Sequence, residues 1–135
     1  MNQYAFNPLT RRLDLVSNAA QLLMQAGAQL GGQRVVCLDD QGRVIHADHT
    51  VAAHSGRICG ITLGSAAMGE TVIVCRFGLL EDSAWQWDLN KSRLFLSTNG
   101  TLTQSVPTTG FLCVVGYCLS ATQLFVDVQP AITLG

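Results

Sequence analysis

Three histidines and an aspartate lie close together in the first half of the chain, as His46, Asp48, His49 and His54. Imidazole and carboxylate groups are ligands for zinc and other divalent metals, so this segment is the best candidate for chemistry in the sequence. Because side chains alternate between the two faces of a strand, His46 and Asp48 would share one face and His49 would point to the other. The spacing matches no defined ligand set, and a polar loop between strands is the favoured interpretation.

Other catalytic residue types are present, but their spacing does not suit catalysis. Ser65 lies in Gly-Ser-Ala-Ala-Met-Gly, which departs from the Gly-x-Ser-x-Gly turn of serine hydrolases. The same stretch lacks the lysine and the following helix of a phosphate-binding loop. Paired carboxylates occur at residues 39–40 and 81–82, where solvated turns are the simplest interpretation. The sequence therefore predicts a protein that is not an enzyme and that uses no cofactor and no metal.

Trp85 and Trp87 are two positions apart, so both side chains would lie on one face of a strand. Such a pair could bind a sugar ring, but an aromatic pair more often fills a core or an interface. We expect these tryptophans in an oligomer interface or in the core.

Charged residues are scarce in this chain. They make up 13% of its 135 residues, against about 25% in a typical soluble domain, and 48% are hydrophobic. From residue 94 to the end, the sole side chain charged at neutral pH is that of Asp127. We therefore expect part of the surface to be buried between subunits. A net charge of −1 and the lack of a basic amphipathic face argue against nucleic-acid and membrane partners.

The first residues lack the basic region and apolar core of a signal peptide, and no apolar run reaches the roughly 20 residues that span a bilayer. We therefore expect synthesis in the cytoplasm. The five cysteines fit that compartment, because an odd number without Cys-x-x-Cys spacing suits neither a disulfide framework nor a zinc motif. Each is predicted to be a small buried apolar side chain.

The N-terminal quarter of the chain is predicted to differ from the rest. Residues 1–16 read as an extended arm or small hairpin, in which Tyr4 and Phe6 need a partner to pack on. Residues 17–30 have apolar side chains at helical spacing, and the pair of glycines at 31–32 would end one short α-helix. The predicted domain organisation is an arm and helix over residues 1–33, followed by a β domain over residues 34–135.

The rest of the chain has the period of two that is typical of strands. Strands are predicted at residues 35–38, 43–46, 57–63, 71–77, 94–97, 111–117 and 123–128. Turn residues separate them at regular intervals, for example at residues 39–42 and at Asn99-Gly100. The predicted fold is mainly β: a small antiparallel β-sandwich or barrel with an N-terminal arm and one short α-helix.

Three segments resemble the virion proteins of tailed bacteriophages, specifically capsid decoration (cement) and head-fibre-like proteins. The segments are residues 93–103 with Pro107 shortly after; residues 110–116 with the Leu-Ser-Ala-Thr of residues 119–122; and the glycine-rich residues 56–69 followed by the strand at 71–74. Together they cover about residues 34–132, and the opening residues 6–16 also resemble a segment of phage structural proteins. The resemblance implies a trimeric, β-rich protein that binds the outer surface of a capsid without catalysis, so its location is the virion, assembled in the host cytoplasm.

The implied partners are the major capsid protein and further copies of this chain. In this interpretation Tyr4, Phe6 and Leu9 of the arm bind the capsid or a neighbouring subunit. The oligomer interface is expected at the two tryptophans and near Phe111 and Phe125. Two alternatives stay open. The first is a receptor- or carbohydrate-binding domain of a phage fibre or tail, with the two tryptophans and the histidine segment as its exposed site. The second is a small metal-dependent hydrolase that uses the histidine segment.

Overall fold

A computed structural model describes residues 20–134 and contains two five-stranded antiparallel sheets. One turn of 3-10 helix lies at Ala52–His54. The strands are β1 (Gln21–Gln25), β2 (Val35–Leu38), β3 (Val44–His46), β4 (Ile58–Thr62), β5 (Thr71–Cys75), β6 (Phe77–Glu81), β7 (Arg93–Leu96), β8 (Leu102–Thr103), β9 (Phe111–Leu112), β10 (Val114–Ser120), β11 (Gln123–Asp127) and β12 (Ile132–Thr133).

Sheet A has the strand order β1-β5-β4-β2-β3, and its two edges approach each other. Ala26, directly after β1, forms a parallel bridge with Val44 of β3, and the Gly27 N–H donates a hydrogen bond to the Val44 carbonyl over 2.7 Å. The sheet is thereby closed into a small barrel. Its interior holds an apolar cluster of side chains from all five strands and from the adjoining loops: Leu22, Met24, Ala26, Leu30, Val36, Leu38, Val44, Cys59, Ala66, Val72 and Val74.

Sheet B has the order β6-β11-β10-β7-β8 and packs on the outside of the barrel, while β9 and β12 form a separate two-stranded ribbon. The core between the sheets is built from alternate residues of both, because side chains on a strand alternate between faces. Its buried members are Val35, Cys37, Ala47, Ile61, Cys75, Leu94, Leu96, Phe111, Cys113, Val115, Cys118, Leu124 and Val126. The predicted fold class, mainly β and antiparallel, is confirmed.

The α-helix predicted for residues 17–30 is wrong over the part that the structure describes. Residues 21–25 form β1, and each of the five pairs with a residue of β5. Leu22 and Met24 point into the barrel, whereas Gln21, Leu23 and Gln25 are exposed. The order Gln-Leu-Leu-Met-Gln fits both the helical period of about 3.6 and the strand period of 2. Hydrogen bonding to β5 decides for the strand, because tertiary contacts override weak helix propensity. The barrel therefore begins before the expected boundary at residue 34.

The strand predicted at residues 71–77 is two strands. Arg76 separates β5 in sheet A from β6 in sheet B, so the chain passes from one sheet to the other there. Within residues 20–134, no helix has the length and apolar character needed to cross a membrane.

Candidate interaction surface

The four residues of the histidine segment take part in hydrogen bonds that shape the loops around β3. The Gly31 N–H donates to Nε2 of His46 over 3.1 Å, so the other ring nitrogen carries the proton and donates to Oδ1 of Asn99 over 2.9 Å. The Asp48 N–H donates to Nδ1 of His54 over 3.0 Å. Nδ1 of His49 donates to a carbonyl 60 residues further along the chain, that of Thr109, over 3.2 Å.

Asp48 organises the same loops through its carboxylate. Oδ1 accepts hydrogen bonds from the Thr50 N–H (2.9 Å) and hydroxyl (2.6 Å), and Oδ2 accepts one from the Asn99 N–H (3.3 Å). Partial burial alone would raise the pKa of this carboxyl, but the hydrogen bonds from Thr50 and Asn99 outweigh it and hold the pKa below its usual value. Within residues 20–134, no three His, Cys, Asp or Glu side chains are grouped as metal ligands would be. These contacts give the segment a structural role between β3 and the turns it touches.

The five cysteines are free and buried, as predicted. Burial raises the pKa of the Cys37 thiol to about 12 and that of Cys113 to about 11. Because the thiolate is the nucleophile, these thiols are unreactive near neutral pH.

Trp85 and Trp87 stack on each other, with ring centroids 5.3 Å apart and planes tilted by 41°. Both are half-buried and pack on the core between the sheets, so they do not form an open platform. Nε1 of Trp87 is buried and has no hydrogen-bond partner among the described residues. The two rings pack on the intersheet core, and their place in an oligomer interface stays a prediction.

Phe111 does not lie at an oligomer interface, contrary to the sequence prediction. It is 2% exposed and is among the largest fully buried side chains of the intersheet core. The apolar run 111–115 alternates between the core and partly covered positions, and the alternation places this ring inside. Its contribution is to folding.

Phe125 lies on the outer face of sheet B, in a group of exposed apolar side chains. Its ring meets that of Phe77 edge-on at 5.0 Å and that of Tyr117 at 5.5 Å. Leu79, directly opposite Phe125 on β6, is 52% exposed, and Leu119 on β10 is 53% exposed. We call these five residues the aromatic patch. The largest contiguous apolar patch on a monomeric protein is often functional, so this patch is the strongest candidate for a binding surface.

Opposite charges flank the aromatic patch at its two sides. In the register of sheet B, Leu79, Phe125, Tyr117 and Arg93 follow one another across four neighbouring strands. Arg93 therefore ends the row on β7. Two carboxylates border the patch at opposite ends of the β6–β11 pair: Asp127 on β11 is opposite Phe77, and Glu81 on β6 is opposite Gln123. Arg93 on β7 and Glu81 on the edge strand β6 therefore lie on opposite sides of the patch.

A groove continues the cationic side. It has a volume of about 530 Å³ and is bounded by the segment before β7 and the segment after β8: Asn90, Lys91, Ser92, Arg93, Phe95, Gln104, Ser105 and Val106. The Phe95 ring is 3% exposed, and the Arg93 guanidinium carbon lies 5.9 Å from its centroid. The Gln104 amide nitrogen donates to the carbonyls of Asp88 (2.9 Å) and Lys91 (2.7 Å), which joins the two walls. The groove is therefore preformed.

The residues proposed to bind the capsid, Tyr4, Phe6 and Leu9, lie outside the described residues. Of the four proposed interface residues, Phe125 alone lies in the aromatic patch. The sequence prediction missed Phe77 and Leu79 as surface residues, because the predicted strand at residues 71–77 ended before Leu79. The signal was present: large apolar residues at 77 and 79 alternate with a glycine and a leucine, and Glu81 continues the exposed side.

Neither a scan against models of protein families nor a search of curated proteins finds a match to this chain.

Proposed function

We propose that this chain is a non-catalytic structural subunit of a phage virion, most specifically a decoration protein that binds the outer capsid surface as an oligomer and stabilises it. The single observation that carries the proposal is the aromatic patch, a surface suited to permanent association. Permanent interfaces are more apolar than transient ones and are depleted of charge at their centre.

The chemistry of the remaining residues supports a structural role. The histidine segment is occupied by loop hydrogen bonds, and the cysteines are buried with raised thiol pKa values where a shift is resolved. The proposed partner, the major capsid protein, and the proposed location, the virion, come from the resemblance of residues 34–132 to phage decoration proteins.

The test is binding of the purified protein to phage capsids that lack it, measured as occupancy by cosedimentation and mass spectrometry. Leu79→Arg places a charge in the aromatic patch and is expected to lower occupancy at least tenfold. Met68→Arg is the matched control, because Met68 is 63% exposed and lies in the turn between β4 and β5 of sheet A, away from the patch on sheet B. Occupancy that is undetectable for the unmodified protein, or equally reduced by both variants, contradicts the proposal. Copy number in purified virions separates a shell component, at hundreds of copies, from a fibre or tail component, at a handful.

A further inference from the structure

We infer that the aromatic patch binds the same face of a second copy of this chain, with the Arg93 side of one copy against the Glu81 side of the other. This deepens the proposed function by naming the occupant of one surface, and it rests on that proposal only for the structural role.

The centre of the face is suited to sheet-on-sheet packing. Phe77, Leu79, Tyr117 and Leu119 are between 39% and 53% exposed, and Phe125 lies among them. Side chains of this size, about half exposed, present on the order of 400 Å² of apolar surface, which is within the roughly 300–600 Å² range of the largest patches on monomers.

The charges select a second copy as the occupant. Two ion pairs are formed within residues 20–134, and both involve the turn at residues 39–43. Arg93, Lys91, Glu81 and Asp127 are therefore unpaired in that part of the chain. Turning one copy over about an axis parallel to the strands places its β7 above β6 of the other copy and its β10 above β11. By the register, Arg93 of each copy then lies over Leu79 of the other, beside Glu81 two residues further along β6, and both Tyr117 rings meet Phe125 rings.

The edge strand β6 also needs cover, and the groove can provide it. Among residues 20–134, β6 pairs with one strand, β11, and its exposed Phe77 and Leu79 side chains lie on the outer face of the sheet. Exposed apolar edge strands are sites of association unless they are protected. In the same arrangement β6 of one copy approaches the groove of the other, where Lys91 and Arg93 border the Phe95 ring.

The test is a charge exchange between the two sides of the face, read as the dissociation constant of the oligomer in sedimentation equilibrium. The unmodified chain is expected to self-associate at micromolar concentration and more weakly at high salt. Arg93→Glu and Glu81→Arg are each expected to raise the dissociation constant at least tenfold, because each places like charges together. The double variant Arg93→Glu/Glu81→Arg restores opposite charges and is expected to return within about threefold of the original value.

Leu79→Asp tests the apolar centre, with Met68→Asp as the matched control, and circular dichroism checks that every variant is folded. We expect Leu79→Asp to dissociate the oligomer and Met68→Asp to leave it intact. A chain that is monomeric at 100 μM in low salt contradicts the inference. So does an oligomer that Leu79→Asp leaves intact, or a double variant as weak as the single ones.

Capsid binding measured in parallel separates this inference from the proposed function. A folded, monomeric chain that binds capsids overturns the inference and supports the proposed function. An oligomer that follows the charge exchange but binds no capsid supports the inference and overturns the proposed function.

Discussion

Replacement of Phe111 by alanine distinguishes a core residue from an interface residue. The ring is 2% exposed in the core between the sheets, and the residue's N–H donates to the His49 carbonyl over 2.9 Å. A buried aromatic ring covers about 150–250 Å², which at about 25 cal/mol per Å² corresponds to about 4–6 kcal/mol. Measured Phe→Ala substitutions in cores cost about 3–5 kcal/mol, so we expect Phe111→Ala to lower the free energy of unfolding by about 4 kcal/mol.

The assay is urea unfolding followed by tryptophan fluorescence at low protein concentration. With an m-value of about 2 kcal/mol per M, the expected loss moves the midpoint down by about 2 M. Phe77→Ala is the matched control, because the Phe77 side chain is 50% exposed and its resolved ring contact is the edge-on pair with Phe125. Phe77→Ala is expected to lower the free energy of unfolding by only about 1 kcal/mol and to weaken self-association.

The refuting result is specific. If Phe111→Ala shifts the urea midpoint by less than about 0.5 M and reduces the mass of the oligomer, the ring lies between subunits, as the sequence alone suggested. The placement of β9 against the core would then be wrong.

Three further predictions follow from the backbone, the carboxylates and the thiols. Gly110 has φ +69° and a Cβ there would overlap a backbone carbonyl, whereas Gly42 has φ +77° and open space around it. Gly42→Ala is therefore expected to cost about 1 kcal/mol for the left-handed conformation alone, and Gly110→Ala at least about 2 kcal/mol more in urea unfolding. The pKa of Asp48 is lowered in the folded state. Its carboxylate therefore stabilises the fold above the unfolded-state pKa, and this stabilisation is lost as the pH falls through the folded-state pKa. Stability should consequently decline below about pH 4, and Asp48→Asn should make that decline shallower in unfolding curves measured from pH 2 to 7. The five cysteines are buried, and the pKa is about 12 for Cys37 and about 11 for Cys113. They should react only slowly with a thiol reagent at pH 8 in the native protein, whereas all five thiols should react in denaturant. Rapid labelling of several cysteines in the native protein would contradict their burial.

Most strands could be predicted from local pattern. The hairpin of β2 and β3 combines alternating apolar residues with Asp-Gln-Gly in the turn, and both signals are local. The cysteines could be placed because small apolar side chains among Val, Leu and Ile are buried in almost any fold. Residues 21–25 could not, because Gln-Leu-Leu-Met-Gln fits a helix and a strand equally well, and the partner strand that decides is 46–54 residues away.

The residues of the interaction surface could not be predicted from local pattern either. Aromatic residues are visible in the sequence, but the sheet and the face that each of them occupies are not. Phe111 and Phe125 look alike in sequence, yet one is enclosed between the sheets and the other is on the outer face of sheet B. The change of sheet at Arg76 was also invisible, because a strand that continues and a strand that crosses over have the same alternation up to the crossing.

By itself, the sequence determined that this protein is mainly β and poor in charge, since composition and a period of two are local properties of the chain. Only the tertiary structure decided that sheet A closes through Ala26 and Val44, and that five apolar side chains gather with opposite charges at their two sides. Those features depend on the register between strands distant in sequence, and a shift of one residue would exchange the buried and exposed faces.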